Sequence, residues 1–187
     1  MGKLFQSIEP DHREFIERQH IFFNASAAPN GRVNVSPRDV AALRIIDSHT
    51  AIYLDLTGSG NETAAHLLAD GRLTMMFCAF EGRPLILRLY GHGRIIPRHD
   101  QEYDDLLARH YSGKEIPGAR QIVWLDVDTV QTSCGMNVPF YNYVGERDQL
   151  VHWAEVKGET ALEQYRLEKN STSIDGLPTG MFEIAGS

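Results

Sequence analysis

The sequence predicts a mainly β fold of the α+β class, built as a small closed or partly closed barrel with helices at its periphery. An apolar run over 73–80 is followed by a turn over 81–84 and a returning strand over 85–90, the order of an antiparallel hairpin. The apolar run is nearly unbroken, which favours burial on both faces. Gly91 and Gly93 then permit a bend or bulge at a barrel corner.

The other elements are predicted from periodicity and from the turn residues between them. Apolar residues at helical or alternating spacing, bounded by Gly, Pro and polar residues, give the assignments. In chain order they are a helix over 11–23, strands over 32–36 and 50–56, a short helix after the turn 57–63, a helix over 100–111, a strand over 121–130, a loop over 133–148, and helices near 147–157 and 159–169. A mobile tail rich in Ser, Gly and Pro is expected after them.

Composition excludes several classes of protein. The 187 residues are expected to form a single domain, and a net charge of −7 without basic, aromatic-rich runs argues against nucleic acid as a partner. No apolar stretch is long enough to span a bilayer and the N-terminus lacks a signal-peptide core, so we expect no membrane association and a cytoplasmic location. Two cysteines, Cys78 and Cys134, do not make a disulfide scaffold. The histidine spacing predicts no metal site.

The turn over 57–63 is the most informative segment for function. It follows the strand over 50–56 and leads into a helix, so unpaired backbone amides and the positive end of the helix dipole point at one spot. Such a spot favours a phosphate group. The turn has no Lys for a P-loop, and Thr63 stands where a dinucleotide-binding fingerprint has its third Gly. Ser59 and Glu62 also fit a capping box, which would use the same amides, and local sequence leaves the two interpretations open.

Four separated segments resemble the FMN-binding split-barrel family related to pyridoxamine 5′-phosphate oxidase. They are VNVSPRD at 33–39, YLDLTGSGNETAAHL at 53–67, MFCAFEGRPLILRLYGHGRII at 76–96 and TSCGMNVPFYNYVGERD at 132–148. The resemblance extends from the first helix to SIDGLP at 173–178. It implies a split β-barrel of about six antiparallel strands, one FMN-binding domain over 1–187 with a helical C-terminal region over 147–170, and a homodimer with FMN at the subunit interface.

The resemblance also assigns cofactor-binding residues by position. The segment 32–37 resembles the strand whose backbone faces the isoalloxazine ring, 55–57 the strand end beside the ring and ribityl chain, and 61–63 the phosphate clamp. The implied FMN-binding residues are Arg32, Asn34, Val35, Ser36, Pro37, Asp55, Leu56, Thr57, Gly60, Asn61, Glu62, Thr63 and Arg88. No catalytic side chain is implied, because the flavin itself carries the redox chemistry.

Two departures from the family pattern affect the expected activity. Glu62 and Thr63 stand where the oxidases of the family have an Arg-Lys pair, so two cations are missing from the phosphate clamp. Turn amides, the Thr63 hydroxyl and Arg32, Arg38 or Arg88 would have to compensate. The C-terminal substrate-binding stretch of true pyridoxamine phosphate oxidases is not recognisable.

These departures leave three hypotheses for the function. The first is an FMN-dependent oxidoreductase that acts on an unknown small molecule. The second is a flavin- or haem-binding module without turnover, for which His66 is a conceivable haem ligand. The third is a dimer that binds nothing. Cys134 is interpreted as a structural loop cysteine, with a place near the partner's flavin as the alternative.

Overall fold

A computed structural model describes residues 2–182, which form one curled antiparallel sheet with five α-helices around it. The sheet order is β3-β2-β6-β7-β8-β5-β4, with β1 paired to β8. The strands are β1 (Lys3–Phe5), β2 (Ile21–Ala27), β3 (Val33–Asp39), β4 (Leu43–Ile45), β5 (Thr50–Leu56), β6 (Arg72–Cys78), β7 (Ile86–Pro97) and β8 (Ala119–Ser133). The helices are α1 (Pro10–Glu17), α2 (Glu62–Ala69), α3 (Gln101–His110), α4 (Gln149–Lys157) and α5 (Glu159–Lys169), and a short 3-10 helix spans Val40–Ala42. The predicted split-barrel class is confirmed.

The helix predicted over 11–23 is wrong over 18–23, because α1 ends at Glu17 and residues 21–23 begin the unpredicted strand β2. Asn24 and Ser26 point into the protein and are 0% and 4% exposed, while Phe23 and Ala25 on the opposite face are half-buried. Polar residues point inward because they bond to α2. The apolar-in, polar-out alternation that marks a strand is therefore reversed here. The short strands β1 and β4 were also not predicted.

The predicted bulge at the barrel corner is present in β7. The register of β7 against β8 shifts between Tyr90 and Gly91. A Cβ atom at Gly91 would lie 1.8 Å from the backbone oxygen of Asp126, so any side chain at this position clashes with β8. Only glycine allows the two backbones to approach this closely.

The two faces of the sheet differ in burial. Directly opposed residues of antiparallel strands share a face, and one face carries the core side chains Phe22, Met75, Phe77, Leu87 and Leu89. The other, here called the outward face, is half-buried or exposed in a single chain. It carries Phe23, Ala25, Val33, Val35, Thr74, Met76, Arg88 and Tyr90. The prediction that the strand over 73–80 is buried on both faces therefore does not hold within one chain.

After α5 the chain forms a small hairpin, here called the C-terminal hairpin (residues 171–179). Thr172 pairs with Pro178, and the Ser173 amide donates to the Leu177 carbonyl at 2.9 Å. Gly176 lies at the tip with a φ of +79°, a conformation that favours glycine. The tail expected to be mobile thus begins with a hydrogen-bonded hairpin, and its last five residues lie outside the described part of the chain.

Candidate functional site

Helix α2 begins where the sequence predicts it, but without the capping box that was one of the two open interpretations. Its N-cap residue is Asn61, which makes no side-chain cap hydrogen bond, and Ser59 is exposed. The Glu62 carboxylate does not fold back onto its own helix. It accepts the backbone amide of Ile174, from the C-terminal hairpin, at 3.0 and 3.1 Å. The first turn of α2 is therefore held by a segment far along the chain.

The predicted residues of β3 alternate between two environments. The Asn34 amide donates to the Thr63 hydroxyl at 3.3 Å, and the Ser36 hydroxyl donates to the Asn34 side-chain oxygen at 3.1 Å. Asn34, Ser36 and Thr63 thus come together between the sheet and α2. Val35 and Pro37 point to the outward face and are exposed. Since β3 is an edge strand, its outer backbone edge has no partner strand among residues 2–182.

Asp55 is fully buried between two arginines. Its carboxylate accepts Arg120 Nε at 2.9 Å and Gln121 Nε2 at 2.8 Å, and Arg38 Nη2 lies 3.2 Å away. Burial by itself would raise the pKa of Asp55, but the guanidinium groups of Arg120 and Arg38 hold that pKa below its ordinary value. Gln121 also donates to the Asn61 side-chain oxygen at 2.9 Å, which links the carboxylate to the start of α2.

Thr57 and Gly60 are bound by arginines that sequence reasoning did not select. Arg166 of α5 donates through Nε to the Thr57 hydroxyl at 2.8 Å, and Arg120 donates through Nη1 to the Gly60 carbonyl at 2.9 Å. Asn170 donates to the Gly58 carbonyl at 3.0 Å. These three residues come from β8 and from the C-terminal end of α5, far from the turn in sequence. No local motif marks them.

None of the three arginines expected to compensate for the missing clamp is available at the turn. Arg32 forms an ion pair with Asp175 of the C-terminal hairpin. Arg38 is engaged with Asp55, as above, and with the Asn24 side chain at 3.3 Å. Arg88 lies on the outward face, away from α2, and donates to the Ser133 hydroxyl at 3.3 Å.

Three residues named from the sequence have burial that bears on ligand binding. Asn61 is only 2% exposed, and its Nδ2 group has no hydrogen-bond partner among the described residues. Buried donors normally have a hydrogen-bond partner, so this group is a candidate donor to an acceptor atom of a bound ligand. Leu56 instead packs against an apolar cluster with Ile116 and Ala119. His66 is 1% exposed; its Nδ1 contacts Ser26 at 3.1 Å, and its Nε2 is buried without a partner among the described residues, so a haem could reach it only if α2 moved.

Comparison with known proteins identifies the family. The family model described as pyridoxamine 5′-phosphate oxidase matches residues 8–134. A curated relative, the pyridoxamine 5′-phosphate oxidase family protein ustO of Aspergillus flavus, is 35% identical over 95% of this chain and 78% of its own length. The chain belongs to the pyridoxamine 5′-phosphate oxidase family.

Solved structures support the same fold for this family member. HupZ of Group A Streptococcus, in the crystal structure of a single-substitution variant, superposes with a TM-score of 0.53 at 17% identity, covering 67% of this chain and 99% of HupZ. A putative pyridoxamine 5′-phosphate oxidase of Lactobacillus delbrueckii superposes with a TM-score of 0.53 at 14% identity, covering 67% and 94% of the two chains. At these identities the likeness concerns the fold alone.

One groove of this pyridoxamine 5′-phosphate oxidase family member, with a volume of about 2080 Å³, meets the predicted site only at Pro37. It is lined by the end of β3, the outward residue Phe23 and the loop 134–147, including the exposed Cys134. That loop also exposes Met136 and Phe140, which are 82% and 78% accessible. Among residues 2–182 there is no cluster of potential metal ligands and no helix long and apolar enough to cross a bilayer.

Proposed function

We propose that this chain binds FMN in a homodimer and acts as a flavin-dependent oxidoreductase on a small molecule. The observation that carries the proposal is the free edge of β3, with exposed apolar side chains, directly beside the first turn of α2. Family membership supports it, because the resemblance places the flavin at these two elements.

The edge of β3 fits the ring end of a flavin. An edge strand offers unpaired backbone N–H and C=O groups, which match the donors and acceptors on the pyrimidine edge of an isoalloxazine. Val33 and Val35 are 71% and 60% exposed, and they supply an apolar surface beside that edge. FMN, when bound, supplies two-electron redox chemistry, so the site needs no acid or base of its own. The residues of this chain bind and orient the ring.

The phosphate end of FMN fits less well. The first turn of α2 offers backbone amides and the unpartnered Asn61 amide, which suit an anion. However, the Glu62 carboxylate occupies this turn, and Asp175 neutralises Arg32. The site thus has the right hydrogen-bond donors, but its charges oppose a dianion.

The outward face supports the homodimer. On it Val35 lies diagonally across from half-buried Phe23, which stands opposite Pro37 on β3 and Met76 on β6, so an apolar strip runs across three strands without cover from residues 2–182. Contiguous exposed apolar surface marks interaction sites. A second copy packed on this face would bury the strip.

Absorption spectroscopy tests the proposal. The purified protein should carry, or take up on titration, a flavin with its visible bands, and the fluorescence of the added flavin should be quenched on binding. FMN and riboflavin are titrated separately, since a ring-centred site accepts both. Protein that leaves the spectrum and fluorescence of both flavins unchanged contradicts flavin binding.

The second candidate function is a binding module without turnover, favoured by the missing Arg-Lys pair and by the absence of a recognisable C-terminal substrate-binding stretch. Anaerobic mixing of the flavin-loaded protein with NADH or NADPH separates the two functions. Loss of the visible absorption of the bound flavin after mixing supports an oxidoreductase, because it reports reduction of the flavin. An unchanged flavin spectrum supports a binding module without turnover. Titration with haemin in place of flavin tests for a haem module.

A further inference from the structure

The C-terminal hairpin contacts the first turn of α2, which the resemblance assigns to the FMN phosphate, and Arg32, which was expected to compensate for the missing cations of the clamp. The Ile174 amide donates to Glu62 in the first turn of α2. Asp175 accepts the Arg32 backbone amide at 2.7 Å and pairs with the Arg32 guanidinium, at the start of β3. Just before the hairpin, Asn170 is fully buried and donates to the Gly58 carbonyl.

The hairpin is built to hold this position. Its strands are joined by the Thr172–Pro178 bridge, and the Thr179 hydroxyl donates to the Asn170 carbonyl at 2.7 Å. Ser173 and Thr179 are buried, at 7% and 3% exposure. A short hairpin that is already closed loses little further conformational entropy when its tip docks.

The charges at the docking point have a consequence for ligand choice. Glu62 and Asp175 bring two carboxylates to the place where the family resemblance puts a phosphate, and one cation there, Arg32, is already paired. Like charges at short range repel, and screening by salt reduces the effect only in part at a half-buried position. A phosphate would have to displace the hairpin or lie next to both carboxylates.

We propose that the C-terminal hairpin, anchored by Glu62 and Asp175, closes the position at the first turn of α2 where the phosphate of FMN would lie (here called the phosphate seat). The site then selects flavins by the ring and discriminates against the phosphate of FMN. The proposal rests on the flavin binding proposed above. Its ligand class is a flavin held by its ring, FMN and riboflavin alike, with no gain in affinity from the phosphate, and Glu62 and Asp175 are the specificity-determining residues.

The test compares dissociation constants for riboflavin and FMN, measured by flavin fluorescence at fixed ionic strength. The native protein should bind riboflavin at least as tightly as FMN. Glu62→Gln keeps an acceptor for the Ile174 amide and removes the charge, and Asp175→Asn keeps an acceptor for the Arg32 amide and releases the guanidinium. Each change should shift the preference toward FMN by up to about fivefold, because charge interactions at partly exposed positions are worth up to about 1 kcal/mol.

Glu163→Gln is the matched control, because Glu163 is exposed on α5 and its substitution changes the net charge by the same amount. It should leave the preference unchanged. A native protein that prefers FMN by tenfold or more, with Glu62→Gln and Asp175→Asn behaving like Glu163→Gln, overturns the proposal. A shift of equal size in all three variants also overturns it, since net charge alone would then account for the preference.

A second measurement separates failure of this proposal from failure of flavin binding. If neither flavin binds to any variant, the proposed function fails, and inorganic phosphate becomes the probe of the seat. Phosphate should raise the thermal unfolding midpoint of the combined Glu62→Gln and Asp175→Asn variant by more than it raises the midpoint of the native protein. Hydrogen exchange at Ile174 should also be faster in that variant. Equal responses to phosphate in the two proteins contradict a closed seat.

Discussion

The Arg120 guanidinium donates to the Asp55 carboxylate at 2.9 Å, and the two side chains are 2% and 0% exposed. With Arg38 on the other side of the carboxylate, one buried anion faces two cations. Arg120 also bonds to Gly60 and Asn170, so the same ion pair joins β5 and β8 to the turn before α2 and to the end of α5. The position of the turn therefore depends on the buried charges beneath it.

Asp55→Asn should destabilise the protein by about 3–5 kcal/mol, because removal of one partner leaves buried charge uncompensated. The pH dependence follows from the lowered pKa of Asp55. Its contribution is present above the pKa of the unfolded chain, near the ordinary value for Asp, and is lost as the pH falls through the lower folded pKa. Urea unfolding at neutral pH and in acid measures both effects.

The control for that substitution is Asp128→Asn, which removes an exposed carboxylate from β8. Its unfolding free energy should stay within about 0.5 kcal/mol of the native value. Equal losses of unfolding free energy in the two variants at neutral pH would contradict a stabilising role for the buried ion pair of Asp55.

Gly91→Ala should destabilise the protein by about 3 kcal/mol or more, because the added methyl group would overlap the Asp126 carbonyl and push β7 away from β8. Gly58→Ala is the comparison, since nothing lies within 4 Å of its added Cβ and its φ is not positive. Thermal and urea unfolding should place the Gly58 variant close to the native protein. A tolerated alanine at Gly91 would contradict the close approach of the two strands.

Thr57→Val should cost about 1–3 kcal/mol of unfolding free energy, because Arg166 loses a buried acceptor and the Gly118 carbonyl loses a donor. Valine keeps the shape of threonine, so the loss reports on the hydroxyl. Thr57→Ser keeps the hydroxyl and should retain most of the stability. Serine and valine variants of equal stability would exclude a role for these two hydrogen bonds.

Val35→Glu should weaken the proposed homodimer, because it places a charge on the outward face that the second copy would bury. Burial of an unpaired carboxylate costs several kcal/mol, so the dimer dissociation constant should rise by about a hundredfold or more. Sedimentation equilibrium over a range of protein concentrations measures this constant. Val156→Glu, at a 75% exposed position on α4, should leave it unchanged. A native protein that stays monomeric at high concentration contradicts the homodimer.

Elements with a clear local pattern could be predicted from the sequence. The strand over 50–56 is β5 at the predicted bounds, and the hairpin of β6 and β7 lies where the apolar run and the turn over 81–84 place it. The bulge at Gly91 was expected for a backbone reason and is found at that residue. In each case the pattern of residues within the segment was enough for the prediction, even where the contact that requires it, such as Gly91 against Asp126, is distant in sequence.

Elements whose inward residues are polar could not be predicted in this way. In β2, Asn24 and Ser26 are buried because Thr63 and His66 of α2 satisfy them. The periodicity of a single segment carries no information about such partners. Glu62 is the same kind of case, because a carboxylate three residues after Ser59 reads as half of a capping box until the Ile174 amide is found beside it.

The sequence by itself determined the family, the antiparallel barrel with peripheral helices, and the residues around which a flavin site was to be sought. These follow from local periodicity, turn residues and motifs, which are properties of the residue order and do not depend on tertiary contacts. Only the tertiary structure decided the surroundings of those residues: buried arginines against Asp55 and Thr57, and a hairpin against Glu62 and Arg32. Charge pairing and burial act between distant segments, so they exist only once the chain has folded.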